Sequence, residues 1–227
     1  MGAPTTEAGV FPKPVGDLLR TLHGVGFFED SVLVGSWVMP LYGRRLGIVY
    51  PLRTMDIDFA VQLASAGRSG KTDLEATLLA LGYLPSTSQS GVQRFTREGF
   101  TVEFLVHRRG GQDRGAVLLR SWNITAQPLP FLNLLLDHAF WVDLGTYQVR
   151  APLPEAFFVH KLIAAQRRPE DLKKSKDLEQ CAALADKLEE DRLRAVMRAV
   201  KLSPAVRKAL RVSAEAISFP PRKLGMD

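Results

Sequence analysis

The chain has 227 residues, 46% of them hydrophobic, and a formal net charge of +6. No apolar run approaches the ~20 residues that span a bilayer. A lone cysteine, Cys181, excludes a disulfide framework and a thiolate metal site. This composition suits one large or two small globular domains in a reducing cytoplasm, with no membrane partner.

Charge is unevenly spread. Residues 151–227 hold 16 Lys/Arg against 11 Asp/Glu, whereas the first 150 hold 14 against 13. A basic back half fits an anionic partner such as nucleic acid or nucleotide phosphates, and it equally fits a solvated helix surface.

In chain order, residues 1–14 are rich in Pro, Gly and Thr and read as a flexible tail. Leu18, Leu19, Leu22 and Val25 recur at helical spacing, so Val15 to Phe27 predicts a helix closing near Gly24 and Gly26. Ser31 to Val34 is a β-branched strand that delivers the chain to Gly35-Ser36. Trp37 to Tyr42 reads as the first turns of a helix limited by Pro40, and Gly43 to Leu52 as a basic loop. Asp56 to Leu63 is the central strand. Thr72 and Glu75 form a capping box for a helix over Asp73 to Leu81. Val92 to Thr96 and Phe100 to Val106 read as a hairpin turning at Arg97-Glu98-Gly99. Gln127 to Trp141 and Thr146 to Val149 predict strand, loop and strand.

Pro152 and Pro154 mark a boundary between a core at 15–150 and a helical domain at 151–227. Helices are expected over Glu155 to Arg167, Asp171 to Leu188, Arg192 to Val200, and Pro204 to Ala216 with Ser203 as cap. The stretch from Phe219 reads as a loose, Pro-rich tail. The fold class is therefore α/β (α+β), a mixed sheet with flanking helices followed by a helical C-terminal domain.

The chemistry concentrates in the central strand. Strand side chains alternate, so Asp56 and Asp58 point one way while Ile57 and Phe59 point into a core. Carboxylates are depleted in strands and costly to bury unpaired, so folding alone does not ask for them there. Two acids two residues apart lie about 6.6 Å apart along a strand, close enough to serve one cluster. A divalent cation holding nucleotide phosphates accounts for both; an edge strand with solvated acids is the alternative. Glu103 occupies the middle of a second apolar strand, where it is either a third ligand or the partner of a neighbouring Arg. Free N–H groups after Gly35 and the Ser36 hydroxyl are placed to meet a phosphate.

Other motifs weigh less. Gly67 to Thr72 resembles a phosphate-binding loop, but the pattern's first glycine would fall at Ser65. His23, His107, His138 and His160 show no metal-ligand spacing. Arg44-Arg45 and Arg108-Arg109 are either grips for an acceptor's phosphates or solvated pairs. Arg198 to Arg211 holds five basic residues and no acid, the best sequence candidate for an RNA-facing surface.

Gly35-Ser36, Arg53-Thr54-Met55-Asp56-Ile57-Asp58-Phe59 and Glu103 together resemble the nucleotidyltransferase superfamily typified by DNA polymerase beta. Arg53-Thr54 before the acidic strand, Pro154-Glu155, Lys161-Leu162 and Lys176-Asp177 resemble its bacterial branch of AbiEii-type toxins and related nucleotidyltransferases. The resemblance implies transfer of a nucleoside monophosphate from an NTP to an acceptor hydroxyl, tRNA or other RNA among the candidates, with release of pyrophosphate. It implies Mg²⁺ or Mn²⁺ held by Asp56 and Asp58, with Glu103 sharing a metal or acting as general base. Gly35, Ser36, Arg53, Thr54 and Lys161 would bind nucleotide. Asp177 is either a further site residue or a helix-surface salt bridge. An antitoxin partner follows if the chain is a toxin, and a silent nucleotide- or RNA-binding fold is the alternative class. Two departures stand out: the third acid is Glu103 rather than the commoner Asp, and 19 residues separate Ser36 from Asp56.

Overall fold

The computed structural model describes residues 9–63, 72–108 and 115–226. Helix α1 (Lys13–Gly24) buries Val15, Leu18, Leu19 and Leu22, the apolar stripe of its sequence. It is followed by β1 (Ser31–Val34), a 3₁₀ turn over Gly35–Val38, and α2 (Met39–Leu46). Then come β2 (Asp56–Val61), α3 (Leu74–Ala80), β3 (Leu84–Thr87), β4 (Gln93–Arg97), β5 (Phe100–His107), β6 (Val117–Leu119) and β7 (Ile124–Leu129). A short α4 (Leu132–Asp137) leads to a separate hairpin, β8 (Ala139–Asp143) and β9 (Gln148–Pro152). Four helices finish the chain: α5 (Pro154–Ala165), α6 (Asp171–Leu184), α7 (Glu190–Ala199) and α8 (Pro204–Ala216).

The main sheet is mixed, in the order β1-β2-β5-β4-β3. Strand β5 runs parallel to β2 on one edge; its other edge meets β4 antiparallel over Phe100–Glu103 and β7 parallel from Leu105 onward. One face of the sheet carries an aromatic core. Phe27 meets Phe59, Phe104 and Trp122 edge-on at 5.4, 5.7 and 5.0 Å. Such pairs add about 0.5–1.5 kcal/mol each beyond the area they bury. The β4–β5 hairpin turns through Glu98 (φ 51°) and Gly99 (φ 83°), two left-handed residues in a row, as a tight two-residue hairpin turn requires.

Helix α5 is buried on nearly every side, ten of its twelve residues being inaccessible, and the other helices of the back half pack around it. A single hydrophobic cluster runs from Phe11 to Met226 through sheet and helices alike.

Several expectations are corrected. The fold begins before residue 15, because Phe11 is buried against Trp37 (centroids 6.1 Å apart) and α1 opens at Lys13. Pro40 does not limit α2, which continues to Leu46; proline in the first turn lacks an N–H that no intrahelical partner would have taken. The cap of α3 is Asp73, whose carboxylate accepts the Ala76 N–H at 2.9 Å, rather than Thr72. Residues 132–137 are helical, within the stretch expected as strand, loop and strand. The last segment is fastened, with Phe219 on Phe158 (4.9 Å) and Leu224 and Met226 buried. The Gly67 to Thr72 stretch, set aside from sequence as an imperfect phosphate-loop pattern, lies almost wholly outside the described residues.

Candidate active site

Residues facing each other across neighbouring strands project their side chains to the same side of a sheet. The register pairs Val34 with Asp58, Asp58 with Glu103, and Glu103 with Arg94. These four residues form one rung across β1, β2, β5 and β4. Two residues earlier along β2, on the same face, Asp56 stands opposite Thr101. Asp56 is exposed and Asp58 partly covered, while Ile57 and Phe59 are fully buried on the aromatic side.

Because Val34 opposes Asp58, the glycine turn that follows is delivered onto the acid. Gly35 is left-handed (φ +67°), and a β-carbon there would run into the Asp58 carboxylate. Ser36 is buried, and its Oγ accepts a hydrogen bond from Gln180 Nε2 at 2.8 Å. Thr54 Oγ1 accepts the Asp56 N–H at 3.3 Å and so steadies the entry to β2. Arg53 is exposed, and its carbonyl accepts from Lys176 Nζ at 3.4 Å.

Burial, with Glu103 and Asp56 adding repulsion, pushes the Asp58 carboxyl up to about 7, against the opposing pull of Lys161 and Arg168. Burial also raises Glu103, assisted by Asp56 and countered by Arg94 and Lys173. Arg94 Nε lies 2.6 Å from Glu103 Oε1, so the Arg partner considered from sequence is present. Lys176 is lowered by burial and by Lys161, while Asp177, Asp56 and Asp58 draw it the other way. Acids on the sheet thus face cations delivered by α5, α6 and the turn between them.

Lys161 and Asp177 belong together. Lys161 Nζ donates to Asp177 Oδ1 at 2.5 Å, and Arg168 Nε donates to Oδ2 at 3.0 Å. Burial alone would raise Asp177, but the two cations outweigh it and hold the carboxyl below the usual range. The pair is 7% and 3% exposed, which corrects the helix-surface reading of Asp177: it is an internal ion pair joining α5 to α6. Lys161 is a buried ammonium engaged by Asp177, and its charge acts on Asp58 from inside the fold.

The donor set can be tested for a metal. Three carboxylates share one face, and one of them keeps its proton to about pH 7, so the site is short of positive charge. Among the described residues no three His, Cys, Asp or Glu side chains close into a metal-binding group. Mg²⁺ does not require one, since it is commonly held by one or two carboxylates with substrate phosphates and water completing the octahedron. Asp56 and Asp58 fit that requirement.

Sequence reading gave no site role to Arg168, Lys173 or Gln180, quoted Lys176 only as part of a motif, and set an Arg beside Glu103 without singling out Arg94. Lys173, Lys176 and Gln180 have a signal: 173, 176, 177 and 180 recur at helical spacing as a polar stripe on α6. A buried polar stripe and an exposed one look the same in sequence. Arg44 and Arg45 end α2, and Arg45 lies over the Phe140 ring at 4.6 Å, a packing role.

The sheet, the glycine turn and the paired acids define a nucleotidyltransferase-like arrangement. The sequence profile of the nucleotidyltransferase family matches residues 13–205, which include every residue of the rung. The chain belongs to that family. The match supports the superfamily resemblance and does not extend to the AbiEii-type branch. Among solved structures the chain is similar to an antigenic nucleotidyltransferase-like protein from Paracoccidioides brasiliensis (12% identity over 93% of this chain and 94% of that one, TM-score 0.48). It is also similar to a tRNA-processing enzyme in an apo form (14% identity, 92% and 58%, TM-score 0.28). A tRNA nucleotidyltransferase complexed with a primer tRNA and an incoming ATP analogue is similar at 15% identity over 82% and 57%, TM-score 0.23. The chain spans little more than half the length of those last two proteins. Comparison with curated proteins finds no match.

Proposed function

We propose that the chain transfers a nucleoside monophosphate from an NTP to an acceptor hydroxyl. The observation that carries this reading is the single rung that sets Asp58 beside Glu103, with the Gly35-Ser36 turn seated against Asp58. In this reading Asp56 and Asp58 hold Mg²⁺ or Mn²⁺. A cation held there would supply charge neutralisation and polarisation of the polyphosphate. Gly35 and Ser36 meet the terminal phosphates, and Lys176, Arg168 and Arg53 add positive charge around them. Glu103, held by Arg94, takes the proton of the acceptor hydroxyl as its oxygen attacks the α-phosphorus. The bond to the bridging oxygen breaks and pyrophosphate leaves.

RNA is the acceptor class that the surface charge supports. Arg198, Lys201, Arg207, Lys208 and Arg211 are all exposed and form no ion pair among the described residues. Arg207 and Lys208 also lie near the N-terminus of α8, whose first turn holds no acid. Cations there oppose the helix dipole, so they are not placed for helix stability.

The test is transfer of label from each α-labelled NTP, with Mg²⁺, into total RNA and into protein, comparing wild type with Asp56→Ala/Asp58→Ala. Label in the RNA fraction with wild type alone is the expected result. Equal labelling by the double variant would remove the acids from the mechanism. A second reading, a silent nucleotide-binding fold, draws on the Arg94–Glu103 pair and the absence of a closed metal group among the described residues. Nucleotide binding indifferent to Mg²⁺ and to Asp56→Ala would favour it. A toxin role with an antitoxin partner rests on the branch resemblance, and growth arrest on expression is its test.

A further inference from the structure

Gln180 lies on α6 one turn beyond Asp177 and is wholly buried. Its Nε2 donates to Ser36 Oγ at 2.8 Å, joining segments 144 residues apart. One turn earlier on the same helix, Lys176 donates to the Arg53 carbonyl. Helix α6 is thus fastened at two points to the segments framing Asp58: the glycine turn on one side and the approach to β2 on the other.

The chemistry of this link is directional. A hydroxyl has one proton to give and two lone pairs to receive. With an amide N–H occupying a lone pair of Ser36 Oγ, the serine proton is left for another acceptor. The turn that carries Ser36 abuts Asp58, at the mouth of the acid pair. Gln180 has a second telling feature. Its amide also hydrogen-bonds the Tyr50 side chain, so Gln180 couples Tyr50 to Ser36. Leu or Met of similar size would make neither contact, so the amide is what ties the glycine turn to α6.

We infer that Gln180 is a positioning residue of the phosphate site: it fixes the Ser36 hydroxyl as a donor to the incoming polyphosphate and makes phosphate affinity depend on α6. The inference rests on the nucleotide reading above. No catalytic role is assigned to it, because it touches Ser36 and not the reacting atoms.

The test is calorimetric titration of the full chain, in Mg²⁺, with inorganic tripolyphosphate and with each NTP. Wild type, Gln180→Met, Ser36→Ala and the double variant are compared, with a thermal melt of each. Gln180→Met keeps the side-chain volume, and its melt is expected to show a chain still folded at the titration temperature, so that a change in affinity is read on native protein. Tripolyphosphate affinity is expected to fall about tenfold in each single variant and no further in the double one, the mark of two residues acting through one interaction. Losses that add in the double variant, or an unchanged affinity in Gln180→Met, overturn the inference and leave the nucleotide reading intact. A wild-type chain that binds neither tripolyphosphate nor any NTP overturns both.

Discussion

Gly35 and Asp58 leave no room for a methyl group between them: a β-carbon on Gly35 would stand 3.2 Å from Asp58 Cγ and closer still to Oδ2. Its backbone is also left-handed, which costs a non-glycine residue about 1–2 kcal/mol. Gly35→Ala should therefore lower stability and displace the acid, abolishing transfer. Gly47 supplies the control, since it too is left-handed (φ +69°) but has nothing within 4 Å of an added β-carbon. Gly47→Ala should show the backbone cost alone in a thermal melt, with transfer activity kept.

The raised carboxyl of Asp58 predicts a stability that depends on pH in a particular direction. Its folded value of about 7 lies above the ordinary 3.8, so the native chain binds the extra proton between those limits. Its contribution is fully present below pH 3.8, declines as pH rises toward 7, and is flat above that. The full difference corresponds to about 4 kcal/mol as an upper bound. Asp58→Asn should therefore melt higher than wild type at pH 8 in chelator, with the gain shrinking toward pH 5. Equal gains at both pH values would contradict the assignment.

The internal ion pair predicts an asymmetry. Asp177→Ala strands Lys161, a buried cation, and should destabilise by about 3–5 kcal/mol in urea denaturation. Lys161→Met leaves Asp177 with Arg168 as partner and should cost less. Lys161→Met/Asp177→Leu should recover much of the Asp177→Ala loss, because uncharged side chains of similar size need no partner.

Arg94 and Glu103 separate structure from chemistry. Arg94 is about half exposed, so the pair is worth at most about 1 kcal/mol and Glu103→Gln should fold normally. Its turnover should fall at least a hundredfold if Glu103 accepts the acceptor's proton. Arg94 pulls Glu103 downward, so Arg94→Met should move the ascending limb of the pH–rate profile to higher pH. An unmoved limb would assign the proton transfer elsewhere.

Strand alternation made much of this legible. Asp56, Asp58 and Glu103 break an apolar pattern at positions that share a face; β1 follows from its β-branched run, and β2, β4 and β5 from their apolar patterning. Strand β3 was not legible, because Leu84–Thr87 is exposed throughout and has no apolar alternation to betray it. Asp177 is read from sequence as a site residue or a helix-surface salt bridge and Gln180 not at all, because their burial shows only once α5 and the glycine turn lie against them. The pairing of Lys161 with Asp177 likewise depends on how two helices cross, which no local pattern records. Where burial involves apolar residues the sequence announces it; where it involves charges, only tertiary neighbours do.

The rung through Val34, Asp58, Glu103 and Arg94 also guards the chain against mispairing. Sliding β2 by one residue against β5 would turn both of its aspartates inward among the rings of Phe27, Phe104 and Trp122. A strand of uniform apolar residues would tolerate the slip. The same carboxylates that destabilise the native sheet near neutral pH therefore raise the energy of its nearest misfolded competitor by more, and the alignment of the central strands becomes a matter of charge as well as of shape.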